Sequence, residues 1–400
     1  MKRSLLLFIV VLASQWLVAA VVTRHEAQQK AEAQLGGDRQ LELVLAAPGE
    51  QPAYYVFNDR RGQGFAIVAG DDRMGDILGY SNEGCFHPDD MSPAMTEWLE
   101  RMEHEQVMVR EGRAVPRRAP RRAAAVSPML TTKWGQRWPY NRMAPEYTEG
   151  SHCAAGCVAV VMAQVLKYWA SQTPTKEIPG YTTEELGLQL DALPATTFNY
   201  AIMRDEYDML EWDEGAQEVA RLMRYCGQAA QMDYDVYSGA ETSGDYLHRY
   251  FGFKPSFTDK YYVEHMSGWE DLIYDELAAG RPVIYSGKKM TGFLKFSGHV
   301  YVVDGYDGDG LFHINWGWNG NDDGFFVLTS ANDYDIAMLQ MAVIGLEPEG
   351  NATSIEALPA AARLQDVTSQ PLFDLQGRRI MNHQQKKGLR IVDGRLVYIK

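Results

Sequence analysis

The chain has 400 residues, of which 46% are hydrophobic and 23% are charged, and its formal net charge at pH 7 is -15. This length allows two or three domains with sizeable cores, and the composition is that of an ordinary globular protein. The strong negative charge argues against a general nucleic-acid binder and favours a well-solvated, extracellular protein.

The first twenty residues, MKRSLLLFIVVLASQWLVAA, have a basic start, an apolar run and small residues at the end. This order is typical of a secretory signal peptide. A membrane anchor is the alternative, but Ser14 and Gln15 interrupt the run, which is short for a membrane span. We therefore expect secretion, or display on the outer cell surface, without stable membrane insertion.

Residues 21–109 have the pattern of a small α+β unit. A helix is predicted near 23–36, followed by strands in LELVLAA and YYVFND. The next stretch, GFAIVAGDDRMGDILGYS, predicts a strand, a turn and a short amphipathic segment. MSPAMTEWLERMEHEQVMV then predicts a helix with one polar and one apolar face.

Residues 110–125, REGRAVPRRAPRRAAA, contain six arginines and two prolines. Such a stretch cannot bury enough apolar surface to fold, so it should be an exposed linker. The composition fits a simple spacer and a segment built to be cut by a protease equally well.

Residues 126–348 form the largest predicted unit, with helices first and antiparallel strands second, which indicates an α+β fold. Helices are predicted over 157–169, 213–225 and 267–280, and strands over 281–288, 299–307, 311–318 and 324–330. The acidic turns DGDG and NGNDDG are better explained as hairpin turns than as calcium loops. Residues 349–400 form a tail with short strands in PLFDLQGRRI and GLRIVDGRLVYIK.

Four cysteines in a secreted chain of this length do not make a disulfide scaffold. Cys157 stands out because Gly156 precedes it and an apolar helix begins there, so free amides of the first turn favour a thiolate. A buried structural cysteine is the alternative. Cys153 is a core thiol or a disulfide partner of Cys157 or Cys226. No pair of histidines at ligand spacing accompanies these cysteines, so we predict no metal.

A nucleophilic thiol needs a histidine base on a neighbouring strand. His299 opens an apolar strand, and Asn315 follows sixteen residues later beside Trp316. An Asn carbonyl can fix the imidazole tautomer while the indole shields that hydrogen bond from water. His313 is the second choice, and either histidine could instead be a core residue. Gln136 can donate its amide to a developing oxyanion.

Four blocks in order carry a family resemblance: WGQ with PYN, AGCVAVVMAQVLKYW, SGHVYVVDGYD and HINWGWNGNDDGFFVL. Together they resemble the streptopain family of papain-like cysteine peptidases, interpain-type enzymes among them. YYVFNDRRGQGFAIVAGDD resembles the inhibitory prosegment of the same family. The resemblance implies a papain-like catalytic domain over 126–348, an inhibitory propeptide over 21–125 and no cofactor. The tail resembles C-terminal sorting domains of secreted proteins, with an interaction module as the alternative.

The resemblance also assigns roles to individual residues. Cys157 becomes the nucleophile, His299 the general base and acid, and Gln136 the oxyanion donor, with Asn315 and Trp316 supporting the imidazole. Family members prefer a bulky apolar side chain before the cleaved residue. The implied cleft lining is Trp318, Phe293, Tyr237, Ser238, Gly239, Ala240 and Gly298.

The sequence thus predicts a secreted cysteine endopeptidase made as a zymogen. Its expected partners are protein and peptide substrates and its own propeptide, and no nucleic acid. Two alternatives remain: a cell-wall amidase or acyl transferase with the same Cys157–His299 dyad, and a non-catalytic adhesin or inhibitor on the peptidase scaffold.

Overall fold

The computed structural model describes residues 21–113, 123–261, 268–292, 295–328 and 340–350, together with short strands at 372–373, 388–392 and 395–399. Side chains are described in these ranges except at 288–297 and in the last three strands. The predicted signal peptide, the middle of the arginine-rich linker (114–122) and Phe293 lie outside the described residues. Backbone contacts divide the chain into two units, Met1–Glu349 and Gly350–Lys400.

The N-terminal region is one helix on a four-stranded antiparallel sheet. Helix α1 (Arg24–Leu35) begins with a capping box between Thr23 and Glu26, which satisfies amides of its first turn. Its small buried face packs on the sheet. The strands are β1 (Leu41–Ala46), β2 (Tyr54–Asp59), β3 (Phe65–Ala69) and β4 (Ile77–Ser81). The segment expected only to be amphipathic is therefore the strand β4.

Helix α2 (Pro93–Arg110) follows this sheet. The Ser92 hydroxyl accepts a hydrogen bond from the Met95 amide at 3.0 Å, and Pro93 occupies the first helical position, where its missing amide proton is harmless. The apolar face predicted for this helix is buried. On that face the Trp98 indole donates to the carbonyl of Val327, 2.9 Å away, so α2 is fastened to the C-terminal part of the fold.

The next region supplies four helices: α3 (Cys157–Trp169), α4 (Glu214–Ala229), α5 (Asp245–Phe251) and α6 (Trp269–Ala278). Helix α3 is apolar nearly all round and is buried from Val158 to Leu166, as expected for a central core helix. Asp213 caps α4 at the Ala216 amide. The short helix α5 was not predicted. Small hairpins pair β5 (Glu146–Thr148) with β6 (Ser151–His152), and β7 (Tyr181–Thr182) with β8 (Gln189–Leu190).

The remaining strands join those of the N-terminal region in one ten-stranded sheet. They are β9 (Thr258–Tyr261), β10 (Val283–Gly292), β11 (Lys295–Tyr306), β12 (Phe312–Asn315), β13 (Gly324–Phe326) and β14 (Met341–Ile344). The strand order is β1-β2-β3-β4-β13-β12-β11-β10-β14-β9, and every pairing is antiparallel.

The two halves of the sheet meet at β4 and β13, where Phe325 pairs with Tyr80 and Phe326 pairs with Gly79. A Cβ at Gly79 would lie 2.3 Å from the Phe326 ring, so glycine is needed for this close approach. The α+β class is confirmed, but the sequence analysis did not foresee that both regions share a sheet.

The C-terminal unit contains a three-stranded antiparallel sheet of β15 (Leu372–Phe373), β16 (Gly388–Val392) and β17 (Arg395–Ile399). These strands fall inside the two tail segments that were predicted to be extended. Within the described residues, every helix is too short or too polar to span a bilayer.

Candidate active site

Cys157 is the first residue of α3, directly after a glycine with an unusual backbone conformation. Gly156 has φ 87° and ψ 142°, a region that side chains rarely allow. A Cβ on Gly156 would also lie 2.5 Å from the sulfur of Met232. The predicted close backbone approach before the nucleophile is therefore present, and it turns the chain sharply into the helix.

The loop before Cys157 is held by two neighbouring loops. The Ala155 amide donates to the carbonyl of Gln136 at 3.0 Å, and the Ala154 amide donates to that of Asp235 at 3.0 Å. The Ser238 hydroxyl donates to the carbonyl of Ala154 at 2.8 Å. These bonds bring Gln136 and the turn around Ser238 to the N-terminal end of α3.

His299 reaches the same place from the sheet. It lies on β11, opposite Gly287 of β10. The amide of the next residue, Val300, acts on the Cys157 thiol and lowers its pKa. The cysteine and histidine predicted to form a dyad are thus brought together although 142 positions separate them in the sequence.

Both members of the dyad are neutral at neutral pH in this structure. Burial raises the pKa of the Cys157 thiol, and the amides of Val300 and Val158 offset this only in part, while Glu97 raises it further. Burial lowers the pKa of His299 to about 4. The thiol and the imidazole are therefore in protonation states that do not favour attack.

Helix α2 covers the side of the site on which His299 lies. A cavity of about 280 Å³ separates the helix from the sheet. Its walls are formed by Ala94, Glu97, Trp98, Glu100, Arg101 and His104 from α2, and by Gly287, His299, Tyr301, Trp316 and Gln340 from the sheet side. The N-terminal region thus supplies half of the surroundings of the predicted base.

Asn315 is bonded to groups other than His299. Its side-chain oxygen accepts from Gln164 at 2.9 Å and from the Gly317 amide at 3.0 Å, and its nitrogen donates to the Thr132 carbonyl at 2.8 Å. Both acceptor positions of that oxygen are used, so it does not fix the imidazole as we expected. Asn315 instead links β12 to α3 and to the chain near Thr132. Gln164, a fully buried polar residue in an apolar helix, was the overlooked signal.

Trp316 lies on the wall of the cavity that also contains His299. It is 2% exposed, packs on Tyr301 with ring centroids 4.9 Å apart, and donates its indole N–H to the carbonyl of Asp322 at 3.0 Å. Trp318 is half-buried against the core on the α2 side of the sheet.

His313, the second choice of base, is committed elsewhere. Its Nδ1 lies 2.6 Å from a carboxylate oxygen of Asp304, whose other oxygen accepts from the amides of Met129 and Leu130. Burial lowers the pKa of His313, but the charge of Asp304 outweighs it and the net shift is upward. His313 therefore anchors the start of the catalytic region, which corrects its proposed role as base.

The other expected cleft residues have different surroundings. Tyr237 is 85% exposed at the tip of its turn, whereas Ser238 is buried and Gly239 exchanges backbone hydrogen bonds with Asp233. Ala240 is half-buried. Gly298 is exposed directly before His299, and Phe293 lies outside the described residues.

All four cysteines are free thiols, and Cys153 is fully buried, so no disulfide joins it to Cys157. Burial raises the pKa of Cys153 to about 11, which makes it an inert core thiol. Among the described residues, no cluster of three His, Cys, Asp or Glu side chains is arranged to hold a metal ion.

Two family models match this chain. Residues 134–326 match the peptidase C10 family, and residues 12–106 match the Spi protease inhibitor. The inhibitor match ends within the last turns of α2, and the peptidase match begins at Trp134, just before Gln136.

Individual relatives agree with these matches. The chain is 29% identical to streptopain of Streptococcus pyogenes over 331 residues, which cover 74% of this chain and 80% of streptopain. It is 28% identical over 380 residues to the thiol protease/hemagglutinin PrtT of Porphyromonas gingivalis, covering 84% of this chain but only 43% of PrtT. A fragment of Prevotella intermedia prointerpain A superposes with a TM-score of 0.65 at 31% identity, covering 76% of this chain and 98% of the fragment.

Proposed function

The chain belongs to the peptidase C10 family and is a cysteine endopeptidase zymogen, and from that premise we propose that Cys157 and His299 are its catalytic dyad. The Cys157 sulfur attacks the carbonyl carbon of a peptide bond in a protein substrate. Gln136 and the Cys157 amide stabilise the oxyanion that forms. His299 protonates the leaving amine and then deprotonates the water that releases the acyl-enzyme.

One observation carries this assignment: Cys157 begins α3, and the amide of Val300, the residue after His299, acts on its thiol. The helix terminus favours a thiolate, and we propose that the imidazole of His299 takes up its proton. Cys153 and Cys226, in contrast, are fully buried, and burial raises the pKa of both thiols.

We further propose that residues 21 to about 125 are the propeptide and that cleavage occurs within the arginine-rich linker. Arg110, the last residue of α2, is bonded to Asp71 in the N-terminal region. Val126 exchanges backbone hydrogen bonds with Tyr306 of β11. A cut between these two anchors separates the two regions and leaves each anchor with its own region.

Latency then follows from the protonation of the dyad. With α2 in place, burial keeps the thiol and the imidazole neutral. Removal of the propeptide admits water to the His299 side and removes Glu97, so the two pKa values move towards the thiolate–imidazolium pair. Protein substrates then occupy the cleft, with Tyr237, Ser238–Ala240, Gly298 and Trp318 as proposed lining and a bulky apolar side chain before the cleaved residue.

Residues 1–20 are proposed as the signal peptide for export to the cell surface or medium, and residues 349–400 as a sorting or interaction module. Detection of the mature protein in the culture medium, together with an N-terminus beyond residue 20, tests the first of these. A mature protein that stays in the cytoplasm would contradict it.

The decisive experiment compares the purified proform with Cys157→Ala under reducing conditions by intact mass. We expect the wild type to lose its N-terminal segment at a site within residues 110–130 and the variant to stay whole. If neither changes, both proforms are cleaved with an added protease and labelled with a thiol-reactive peptidyl inhibitor. No labelling of the cleaved wild type would refute Cys157 as a nucleophile.

A further inference from the structure

Arg101 on α2 is a buried cation that faces the cavity beside His299. Its side chain is part of the cavity wall, and the residue is only 6% exposed. No described residue accepts a hydrogen bond from its Nε, and no described carboxylate forms an ion pair with it. Glu105, one turn further along α2, is buried too but has interactions of its own.

A buried arginine in this position needs a hydrogen-bond acceptor. The guanidinium group stays protonated at any physiological pH, so it cannot escape burial by losing its charge. A buried charge without a partner is strongly destabilising. The planar fork of N–H donors matches the two oxygens of a carboxylate, and such bidentate pairs are among the strongest hydrogen-bonded contacts in proteins.

Gln340 supplies a second donor from the opposite wall. The Trp269 indole donates to the Tyr285 hydroxyl at 3.0 Å, and that hydroxyl donates in turn to the side-chain oxygen of Gln340. This chain fixes the orientation of the amide and leaves its nitrogen as the free end. The nitrogen is buried and has no described acceptor.

The rest of the cavity is suited to an apolar body. Trp98, Tyr301 and Trp316 present aromatic surfaces to it. The acidic Glu100 lies at its exposed edge, where water screens its charge, and Glu97 acts towards Cys157. The volume of about 280 Å³ exceeds the roughly 150 Å³ at which an apolar protein cavity admits benzene.

We propose that this cavity binds a small organic monocarboxylate, with its carboxylate held by Arg101 and Gln340 and its apolar body against Trp98, Tyr301 and Trp316. Because Arg101 and Trp98 belong to α2 while the other three residues belong to the sheet side, the site is complete only in the zymogen. Its ligand therefore stabilises the zymogen and slows propeptide release, a consequence that rests on the proposed function.

Binding is tested on the full-length proform carrying Cys157→Ala, which cannot process itself. Benzoate is the probe, benzamide its neutral isostere, and phosphate the inorganic anion. We expect benzoate at ten times its dissociation constant to raise the Tm by about 2 °C, and benzamide and phosphate to leave it unchanged. Titration calorimetry gives the dissociation constant and a stoichiometry of one.

Arg101→Gln should abolish the benzoate shift, whereas Arg113→Gln, an exposed arginine just beyond the same helix, should retain it. If Arg101→Gln does not fold, Gln340→Glu replaces it, because a second carboxylate should repel the ligand and weaken benzoate binding by at least tenfold. The proposal is overturned if benzoate does not bind, if benzamide binds equally well, or if the shift survives both substitutions. The first two results mean that only water occupies the cavity or that the site is merely apolar.

A second measurement separates this inference from the proposed function. Saturating benzoate should slow mass loss from the wild-type proform about tenfold at ten times its dissociation constant. If benzoate does not bind to the Cys157→Ala proform, the inference is refuted and the proposed peptidase activity is unaffected. If benzoate binds to that proform but the wild type never matures, the binding site is supported and the proposed function is contradicted.

Discussion

The two sides of the candidate active site are built in different ways. On the Cys157 side, backbone hydrogen bonds from Ala154 and Ala155 to neighbouring loops hold the nucleophile in place, and all of these residues lie in the catalytic region. On the His299 side, half of the surrounding wall comes from α2 of the propeptide. The loop of the proposed nucleophile is therefore held by the catalytic region alone, whereas the environment of the proposed base also depends on the segment that the proposed maturation removes.

This difference indicates that the proposed latency depends on the His299 side of the site. Nothing on the Cys157 side has to rearrange for its loop to take up its position, because the contacts that shape it are already made. The His299 side must change, because burial under α2 holds the pKa of its imidazole at about 4. Substitutions on the base side should therefore act on the zymogen, and those on the nucleophile side on the mature enzyme.

The largest expected effect is on the base side, at Trp98. Its ring packs edge-on against Phe326 at 5.3 Å, and its indole bonds the Val327 carbonyl. We expect Trp98→Ala to lower the free energy of unfolding of the Cys157→Ala proform by about 4 kcal/mol in urea titrations. The same substitution should hasten propeptide release and leave the mature enzyme unaltered, since Trp98 is removed with the propeptide.

Val107→Ala is the matched control for Trp98, because Val107 lies on the same helix but is 48% exposed. An equal loss of stability in both variants would show that the loss does not come from the Trp98 contact with Phe326 and Val327.

The next effect is on the nucleophile side, at Gln136. If its amide stabilises the oxyanion, Gln136→Ala should reduce kcat of the mature enzyme by about 100-fold or more with little change in KM. The proform should keep its stability, because the bond from Ala155 uses the backbone carbonyl of Gln136. Steady-state kinetics of this variant, with the exposed Gln172→Ala as a control, test the prediction. A change below threefold would remove Gln136 from the mechanism.

Gly156→Ala should follow with a loss of kcat/KM of about 100-fold. The added methyl group clashes with Met232 and meets a φ of 87°, so the Cys157 loop must shift. Gly150→Ala is a matched control, since Gly150 also has a positive φ, 76°, but a Cβ there meets nothing within 4 Å. Equal activity in both variants would mean that the close approach at Gly156 is dispensable.

The smallest expected effect is a pH dependence of stability at Asp322, which interacts with the N-terminal region. Asp322 is only 3% exposed, and this burial raises its pKa to about 7. The nearby charges of Asp323 and Asp90 raise the pKa further, whereas the His87 amide lowers it. The folded state therefore binds this proton more tightly than the unfolded state. Its contribution to stability is present at acid pH and is lost as pH rises from about 4 to about 7.

Asp322→Asn removes that ionisation and tolerates the local φ of 62°. We expect the Cys157→Ala proform with this substitution to be about 2 kcal/mol more stable at pH 8 and nearly unchanged at pH 4. Thermal unfolding at both pH values checks this against the exposed Asp89→Asn. A gain that is equal at the two pH values would contradict the buried carboxyl as its source.

Much of the architecture was predictable from the sequence because it depends on neighbours along the chain. Helix α3 was predicted over the residues it occupies, since Gly156 and the apolar run that follows mark its start. Thr23 and Asp213 marked the starts of α1 and α4 in the same way. The short helix α5 and the strands β9 and β14 gave too little periodic signal to be found.

By itself, the sequence determined most of the helices, most of the strands and the choice of Cys157, His299 and Gln136 as candidates, because caps, periodicity and motif order are local. Only the tertiary structure decided that β4 pairs with β13, that the carbonyl of Asn315 serves Gln164 and not the imidazole, and that His313 belongs to Asp304. It also decided the neutral state of the dyad and the cavity around Arg101. These features depend on which distant segments exclude water from one another, and that is a property of the packed chain.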